Sequence, residues 1–166
     1  MEEFELNAMA EKAAELLIRK LSADRRTLAL AESCTAGLVS ALLARVPGAS
    51  SVLWGSFVCY TREAKAGMLD IDREKLAPLD LVSEKTASLM AAGALGKSGV
   101  DAAAAVTGLA GPEGDGSAVP VGTVWVAAAV RDSKAVTREF HFTGSRNEIR
   151  LHAAIAVLES LQSVLT

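Results

Sequence analysis

Residues 27–37, Thr-Leu-Ala-Leu-Ala-Glu-Ser-Cys-Thr-Ala-Gly, decide the fold class because they join a short apolar run to a polar turn. The run from Thr27 to Glu32 has the length and polarity of a buried strand. After Ser33, the apolar spacing predicts a helix from Cys34 to Arg45, which the Pro47-Gly48 pair ends. A buried strand that leads directly into a helix is the repeating unit of α/β proteins, so the sequence predicts that class.

Further predicted elements flank this unit on both sides. Apolar periodicity predicts helices over Leu6 to Leu21, Arg62 to Leu69, Asp72 to Ala77, Ser83 to about Gly96, and after a cap at Ser145. Runs of β-forming residues predict strands over Ser51 to Tyr60 and over an antiparallel pair, Val121 to Val130 and Ala135 to Phe142, and we also expect a strand over Asp101 to Thr107. Alanine favours helix in the Asp101 run, but its short length and the glycine after it indicate a strand. The sum is an α/β fold, a three-layer α/β/α arrangement around a mixed sheet of about five strands.

Composition and charge narrow the class of protein. With 166 residues, 51% of them hydrophobic and 22% charged, the chain fits one packed domain over residues 1–166. A net charge of −3 does not favour nucleic acid as the main partner. No apolar run approaches the roughly 20 residues of a membrane span, and the acidic N-terminus is unlike a signal peptide. We therefore expect a cytoplasmic protein without a membrane partner, and its alanine-rich apolar helices lead us to expect a homo-oligomer.

The sequence does not favour a metal site. Cys34 and Cys59 show no metal-type spacing, and His141 and His152 lie far from both cysteines in the sequence. We expect no bound metal.

Three polar features follow predicted strands and mark a candidate site. They are the turn 32–35, Tyr60, and the loop that begins at Thr107-Gly108. Ligands of open α/β sheets gather at the carboxyl ends of the strands, so we expect these features to lie together. The loop 108–122 holds five glycines and two prolines, and a loop of this length is usually functional or mobile.

Ser33 has two interpretations at this stage. Its hydroxyl can cap the following helix, or it can act as a nucleophile at a strand-to-helix turn whose free N–H groups stabilise an oxyanion. A serine nucleophile needs a base, and neither histidine stands in a familiar triad order. Lys65 and Tyr60 are the candidates, since burial or nearby cations can depress the pKa of a lysine so that its neutral amine accepts a proton. A lysine in the helical segment 62–65 is, however, more often solvated.

The loop after Thr107 and the start of the last helix supply candidate anion contacts. Glycines such as Gly108 and Gly111 let backbone amides approach an anion closely. Arg146 and Arg150 lie four residues apart on one face of the last helix. Positive charge near a helix N-terminus opposes the helix dipole, so Arg146 is a candidate to bind an anion instead.

Four ordered motifs resemble those of the CinA C-terminal domain family. They are residues 31–37 (AESCTAG), 55–60 (GSFVCY) with Lys65, 107–112 (TGLAGP) and 120–124 (PVGTV), and the likeness extends from about residue 6 to 165. The resemblance implies hydrolysis of nicotinamide mononucleotide to nicotinate mononucleotide and ammonia, without a metal or an organic cofactor. It implies that Ser33 is the nucleophile, and that Tyr60 and Lys65 activate it or shuttle protons.

The same resemblance implies further site residues. Thr107 would line the site and hold the amide or the oxyanion, and Arg146 would face the phosphate. The residues expected to contact the substrate are Glu32, Cys34, Thr35, Gly108, Gly111 and Arg146.

The chain departs from the family pattern at three points. Ala36 stands where glycine is common, and Val119 stands where a lysine commonly precedes the proline. The sequence has no counterpart of the N-terminal domain of longer relatives, so we expect that domain's activity to be absent. Two other functions stay open: a non-catalytic nucleotide- or protein-binding module linked to competence or DNA damage, and a generic esterase.

Overall fold

The computed structural model describes residues 3–165 and shows a mixed sheet of five strands in the order β2-β1-β3-β4-β5. The strands are β1 (Leu28–Glu32), β2 (Leu53–Val58), β3 (Ala102–Gly108), β4 (Thr123–Val130) and β5 (Val136–His141). β1 runs parallel to β2 and β3, whereas β3–β4 and β4–β5 are antiparallel. The predicted mixed sheet is confirmed, as is the antiparallel pair at its end.

Helices cover both faces of the sheet. They are α1 (Glu3–Asp24), α2 (Leu38–Ala44), α3 (Arg62–Leu69), α4 (Arg73–Leu76), α5 (Glu84–Ser98) and α6 (Arg146–Val164), with a short 3₁₀ turn at Ala49–Ser51. One apolar cluster joins the sheet to α1, α2 and α6, and a second joins the opposite face to α3, α4 and α5. We call the second face the α5 face. The predicted three-layer α/β/α arrangement is confirmed.

Alanine on the central strands lets α5 lie close to the sheet. Ala103 and Ala105 of β3, with Ala127 and Ala129 of β4, point towards the α5 face and are almost fully buried. The opposite face of the same strands carries larger side chains such as Val106 and Val126. The alanine run from Ala102 is therefore a strand because its neighbours on both sides pair with it, which overrides the helical preference of alanine.

One predicted helix boundary was wrong. Helix α2 begins at Leu38 and not at Cys34, because Ala36 (φ 48°) and Gly37 (φ 93°) adopt left-handed backbone conformations that cannot belong to a right-handed helix. Helix α5 continues through Gly96 to Ser98 and ends at Gly99, whose N–H donates to the Leu95 carbonyl. The other predicted boundaries lie within three residues of the observed ones.

Among residues 3–165, no helix combines the length and the apolar character that crossing a membrane requires.

Candidate active site

The sheet places Ser33 next to Thr107. The β1–β3 register pairs Glu32 with Val106, and the Ser33 N–H continues it by donating to the Val106 carbonyl at 3.0 Å. Side chains alternate along a strand, so Ser33 faces the same side as Ala31, and Thr107 the same side as Ala105. That side is the α5 face. The two hydroxyl-bearing residues are thus cross-strand neighbours at the carboxyl ends of β1 and β3.

Lys65 reaches Ser33 from α3. Its Nζ lies 2.8 Å from the Ser33 Oγ, and 3.0 Å from each of the backbone carbonyl oxygens of Cys59 and Tyr60. The residue is 1% exposed, unlike the solvated lysine that a helix of this sequence more often carries. The two carbonyls can accept both hydrogens of a neutral amine, which leaves the nitrogen lone pair directed at the serine hydroxyl.

Burial lowers the pKa of Lys65 below its ordinary value of 10.5, because the charged ammonium loses hydration inside the protein. The nearby Cys59 and Cys34 thiols act in the opposite direction, and Arg62 adds to the lowering. In the described part of the chain, Lys65 forms no ion pair with a carboxylate that would hold it charged. The environment therefore favours a lysine that can accept a proton.

Glu32 organises the turn that carries Ser33. Its buried carboxylate accepts five hydrogen bonds: from the Thr35 and Ser56 hydroxyls and from the N–H groups of Gly37, Val39 and Ser40, at 2.8–3.0 Å. Three of these donors belong to the first turn of α2 or to its N-cap, Gly37. Glu32 thus satisfies N–H groups that have no partner within the helix. Ser33 does not cap α2, and this interpretation of Ser33 was wrong.

Arg150 of α6 binds the carbonyl groups of the same turn. Its Nε donates to the Cys34 carbonyl at 3.1 Å and a terminal nitrogen donates to the Thr35 carbonyl at 2.8 Å. The turn after Ser33 is therefore fixed by a carboxylate that binds its N–H groups and by a guanidinium that binds its carbonyls. The sequence drew attention to Arg150 only through its spacing from Arg146.

Arg146 and Tyr60 meet at the mouth of the site. One guanidinium nitrogen of Arg146 donates to the Gly111 carbonyl, and another donates to the Tyr60 hydroxyl at 2.9 Å. The Tyr60 phenol is thus engaged with Arg146, whereas Lys65 is the group bonded to Ser33. Tyr60 is half exposed, and its side chain forms part of the rim.

These groups surround a cavity of about 210 Å³. Its lining residues are Ser33, Cys34, Tyr60, Lys65, Leu81, Val82, Thr107, Gly108, Leu109, Ala110, Gly111, Glu113, Asp115 and Arg146. The volume is smaller than the roughly 300–1,000 Å³ of typical small-molecule clefts. A small ligand would fit, with part of it extending towards the rim.

The structure brings eight of the ten predicted site residues to this cavity and leaves two outside it. Ser33, Tyr60, Lys65, Thr107, Cys34, Gly108, Gly111 and Arg146 line it, whereas Glu32 and Thr35 do not. The expected substrate contacts of Glu32 and Thr35 are therefore corrected: both side chains are buried and bond to each other beneath the turn.

Several lining residues gave no recognisable signal in the sequence. Leu81 and Val82 lie in the connection before α5, and Leu81 contributes a backbone carbonyl that accepts from the Thr107 hydroxyl at 2.6 Å. A carbonyl carries no side-chain signature, so no motif could have indicated it. Within residues 3–165, no group of three or more His, Cys, Asp or Glu side chains is arranged to hold a metal ion.

Comparison with known proteins identifies the family of the chain. A family model described as the CinA C-terminal domain matches residues 10–165. The chain belongs to this family. The resemblance drawn from the four sequence motifs is thereby confirmed.

Related CinA-like proteins are longer than this chain. The CinA-like protein of Mycobacterium marinum is 43% identical over 150 residues, a match that covers 90% of this chain and 35% of that protein. The CinA-like protein of Thermotoga maritima is 37% identical over 155 residues, covering 93% and 38% respectively. The chain spans about a third of the length of these curated relatives.

Solved structures of CinA relatives share the whole fold. The competence/damage inducible protein CihA from Agrobacterium tumefaciens superposes with a TM-score of 0.91 at 36% identity, covering 95% of this chain and 96% of that one. A CinA superfamily protein from Escherichia coli superposes with a TM-score of 0.88 at 32% identity, covering 93% and 90%.

Proposed function

We propose that this chain is an amidohydrolase that converts nicotinamide mononucleotide to nicotinate mononucleotide and ammonia, with Ser33 as the nucleophile and Lys65 as its base. The observation that carries the proposal is the 2.8 Å contact between the Lys65 Nζ and the Ser33 Oγ, made by a buried lysine whose pKa burial lowers. Serine needs an adjacent base to become a nucleophile, and a neutral lysine amine can serve as one. The pair explains how the chain could act without a catalytic histidine.

The proposed reaction proceeds through an acyl-serine. The Ser33 hydroxyl passes its proton to the Lys65 amine while its oxygen adds to the amide carbonyl carbon. The C–N bond then breaks, and Lys65 returns the proton to the leaving nitrogen, which departs as ammonia. Water adds to the acyl carbon and passes a proton to Lys65; the bond between the acyl carbon and the Ser33 Oγ then breaks, and Lys65 returns the proton to that oxygen. The sum is amide plus water giving carboxylic acid plus ammonia.

The Ser33 turn supports the stabilisation of the tetrahedral oxyanion. The N–H of Cys34 follows the nucleophile directly, and it donates to no other residue among those that the structure describes. A backbone N–H placed next to the nucleophile is the usual donor to such an oxyanion. Glu32 and Arg150 fix the turn before the substrate arrives, so little reorganisation would accompany the reaction.

Arg146 is the group best suited to the substrate phosphate. Two of its nitrogens bond to the Gly111 carbonyl and the Tyr60 hydroxyl, which hold the guanidinium at the rim of the cavity. A guanidinium has five N–H donors, so three remain for an anion. Glu113 and Asp115 also line the cavity. Their carboxylates would attract the positively charged pyridinium ring and repel the phosphate.

Ammonia release from nicotinamide mononucleotide tests the proposal. We expect turnover of the nucleotide and much poorer turnover of nicotinamide riboside, which lacks the phosphate. Arg146→Leu should raise KM for the nucleotide by about tenfold or more, since a charge-assisted hydrogen bond contributes about 1.5–3 kcal/mol. Arg19→Leu is the control, because Arg19 is exposed on α1, pairs there with Glu15 and does not line the cavity.

The alternative function gives a different result in the same assay. A folded wild-type protein that binds the nucleotide and releases no ammonia would contradict the enzyme and support a nucleotide-binding module. Equal turnover of the nucleotide and the riboside would contradict the role of Arg146 in binding the phosphate, and would leave the proposed amide hydrolysis intact.

A further inference from the structure

The Thr107 hydroxyl can only accept a hydrogen bond from a ligand. Thr107 is 1% exposed, lines the cavity, and donates its single hydroxyl hydrogen to the Leu81 carbonyl at 2.6 Å. A carbonyl cannot donate, so the direction of this bond is fixed. The lone pairs of the Thr107 oxygen remain for other partners.

The position of this acceptor matters because Thr107 is the cross-strand neighbour of Ser33. Adjacent strands lie about 4.8 Å apart, and both side chains project from the α5 face. A carbonyl carbon attacked by the Ser33 oxygen would therefore hold its other substituents within reach of the Thr107 hydroxyl. The short Leu81 contact keeps that hydroxyl turned in one direction, because rotation of the hydroxyl would break the bond to this part-buried carbonyl.

We propose that Thr107 makes the site selective for a primary amide over the corresponding carboxylate and over esters, an inference that rests on the proposed function. An amide NH₂ donates to the Thr107 oxygen, whereas an ester oxygen and an ionised carboxylate have no hydrogen to donate. A carboxylate oxygen facing the Thr107 lone pairs is repelled. The substrate is thereby oriented with its nitrogen towards Thr107, and the acid product is released.

The test measures the affinities of amide and acid in a background that cannot turn over. In Ser33→Ala protein, calorimetry gives Kd for nicotinamide mononucleotide and for nicotinate mononucleotide, and we expect the amide to bind more tightly. Thr107→Val, which keeps the shape and removes the hydroxyl, should lower the amide-over-acid ratio by about tenfold. Thr107→Ser, which keeps the hydroxyl, should retain most of the ratio.

Thr86 provides a matched control. It is buried on α5 and donates its hydroxyl to the Asp80 carbonyl at 2.7 Å, one residue before Leu81, but it does not line the cavity. Thr86→Val should loosen the same connection and leave the amide-over-acid ratio unchanged. An unchanged ratio in Thr107→Val, or an equal fall in Thr86→Val, would overturn the proposal.

The outcome separates this inference from the proposed function. A ratio that falls in Thr107→Val while the wild-type protein releases no ammonia would support the amide-selective site and refute the hydrolase. If the wild-type protein releases ammonia and Thr107→Val leaves the amide-over-acid ratio unchanged, the selectivity role of Thr107 is refuted and the hydrolase is not. Binding of neither ligand would overturn both.

Discussion

Replacement of Glu32 by glutamine tests the carboxylate that holds the Ser33 turn. Both carboxylate oxygens accept: Oε2 from the Thr35 hydroxyl and the N–H groups of Gly37 and Val39, and Oε1 from the Ser40 N–H and the Ser56 hydroxyl. Glutamine has nearly the same shape, but one oxygen becomes an NH₂ group that donates and cannot accept. At least one backbone N–H must therefore lose its acceptor.

The expected loss of stability follows from the less costly of the two orientations of the glutamine amide. With the NH₂ at the Oε1 position, the Ser40 N–H is left unpaired, while the Ser56 hydroxyl can rotate and accept. The Ser40 N–H is part-buried, and leaving it without an acceptor costs about 1–3 kcal/mol; loss of negative charge at the N-terminus of α2 adds about 0.3–1 kcal/mol. We expect Glu32→Gln to lower the free energy of unfolding by about 1.3–4 kcal/mol.

Urea unfolding at neutral pH measures this loss, and Ser56→Ala is the control. That variant removes one hydroxyl donor, leaves every backbone N–H with its acceptor, and should cost about 0.5–1.5 kcal/mol. The reasoning is refuted when Glu32→Gln loses no more stability than Ser56→Ala.

Three further predictions concern the lysine, a close backbone contact and the thiols. Because burial lowers the pKa of Lys65, kcat/KM should rise with pH through that lowered pKa as the amine loses its proton. Between the lowered pKa and 10.5 the Lys65 amine binds more protons in the unfolded chain, so its contribution to the free energy of unfolding should rise with pH there. Above about 9 the two buried thiols, which keep their protons only in the folded protein, act in the opposite direction. Gly108→Ala should cost about 1–3 kcal/mol, because its Cβ would lie 2.7 Å from the Val124 Cγ2 and 3.0 Å from the Thr123 carbonyl oxygen. Burial raises the pKa of Cys34 to about 12 and of Cys59 to about 11, so a thiolate-specific reagent should label both cysteines only after unfolding.

Each of these predictions has a contradicting result and a control. A kcat/KM that falls with pH below the pKa of Lys65 would contradict its role as the base, and Lys65→Met should be inactive at every pH. Gly114→Ala, where the added Cβ meets nothing within 4 Å, is the control for Gly108→Ala, and equal losses would contradict the packing argument. Rapid labelling of Cys34 in folded protein would contradict its burial.

The sequence predicted the layers and the strands because apolar run lengths and turn residues are local signals. The runs at 27–32 and 101–107 became neighbouring central strands as expected. The start of α2 could not be predicted in the same way. It depends on the Glu32 carboxylate, which bonds to N–H groups up to eight residues further along the chain and to a hydroxyl 24 residues further along.

The candidate site was predicted in its residue types but not in its contacts. Lys65 stands in a helix whose sequence suggests solvent exposure, and its burial comes from tertiary contacts, in which its amine meets the Ser33 hydroxyl and the Cys59 and Tyr60 carbonyls. Thr107 was expected to hold the amide or the oxyanion, but its commitment to the Leu81 carbonyl depends on a loop 26 residues away in the sequence. Such contacts are set by tertiary structure and leave no pattern in the sequence.

The rate of ammonia release by Ser33→Ala, compared with the wild-type protein at saturating nicotinamide mononucleotide, tests the central claim most directly. Circular dichroism and nucleotide binding should first show that the variant keeps its fold and its cavity. The account predicts a loss of at least about a thousandfold, because no other described hydroxyl lies within hydrogen-bonding distance of the Lys65 amine. A variant that releases ammonia at close to the wild-type rate would contradict Ser33 as the nucleophile.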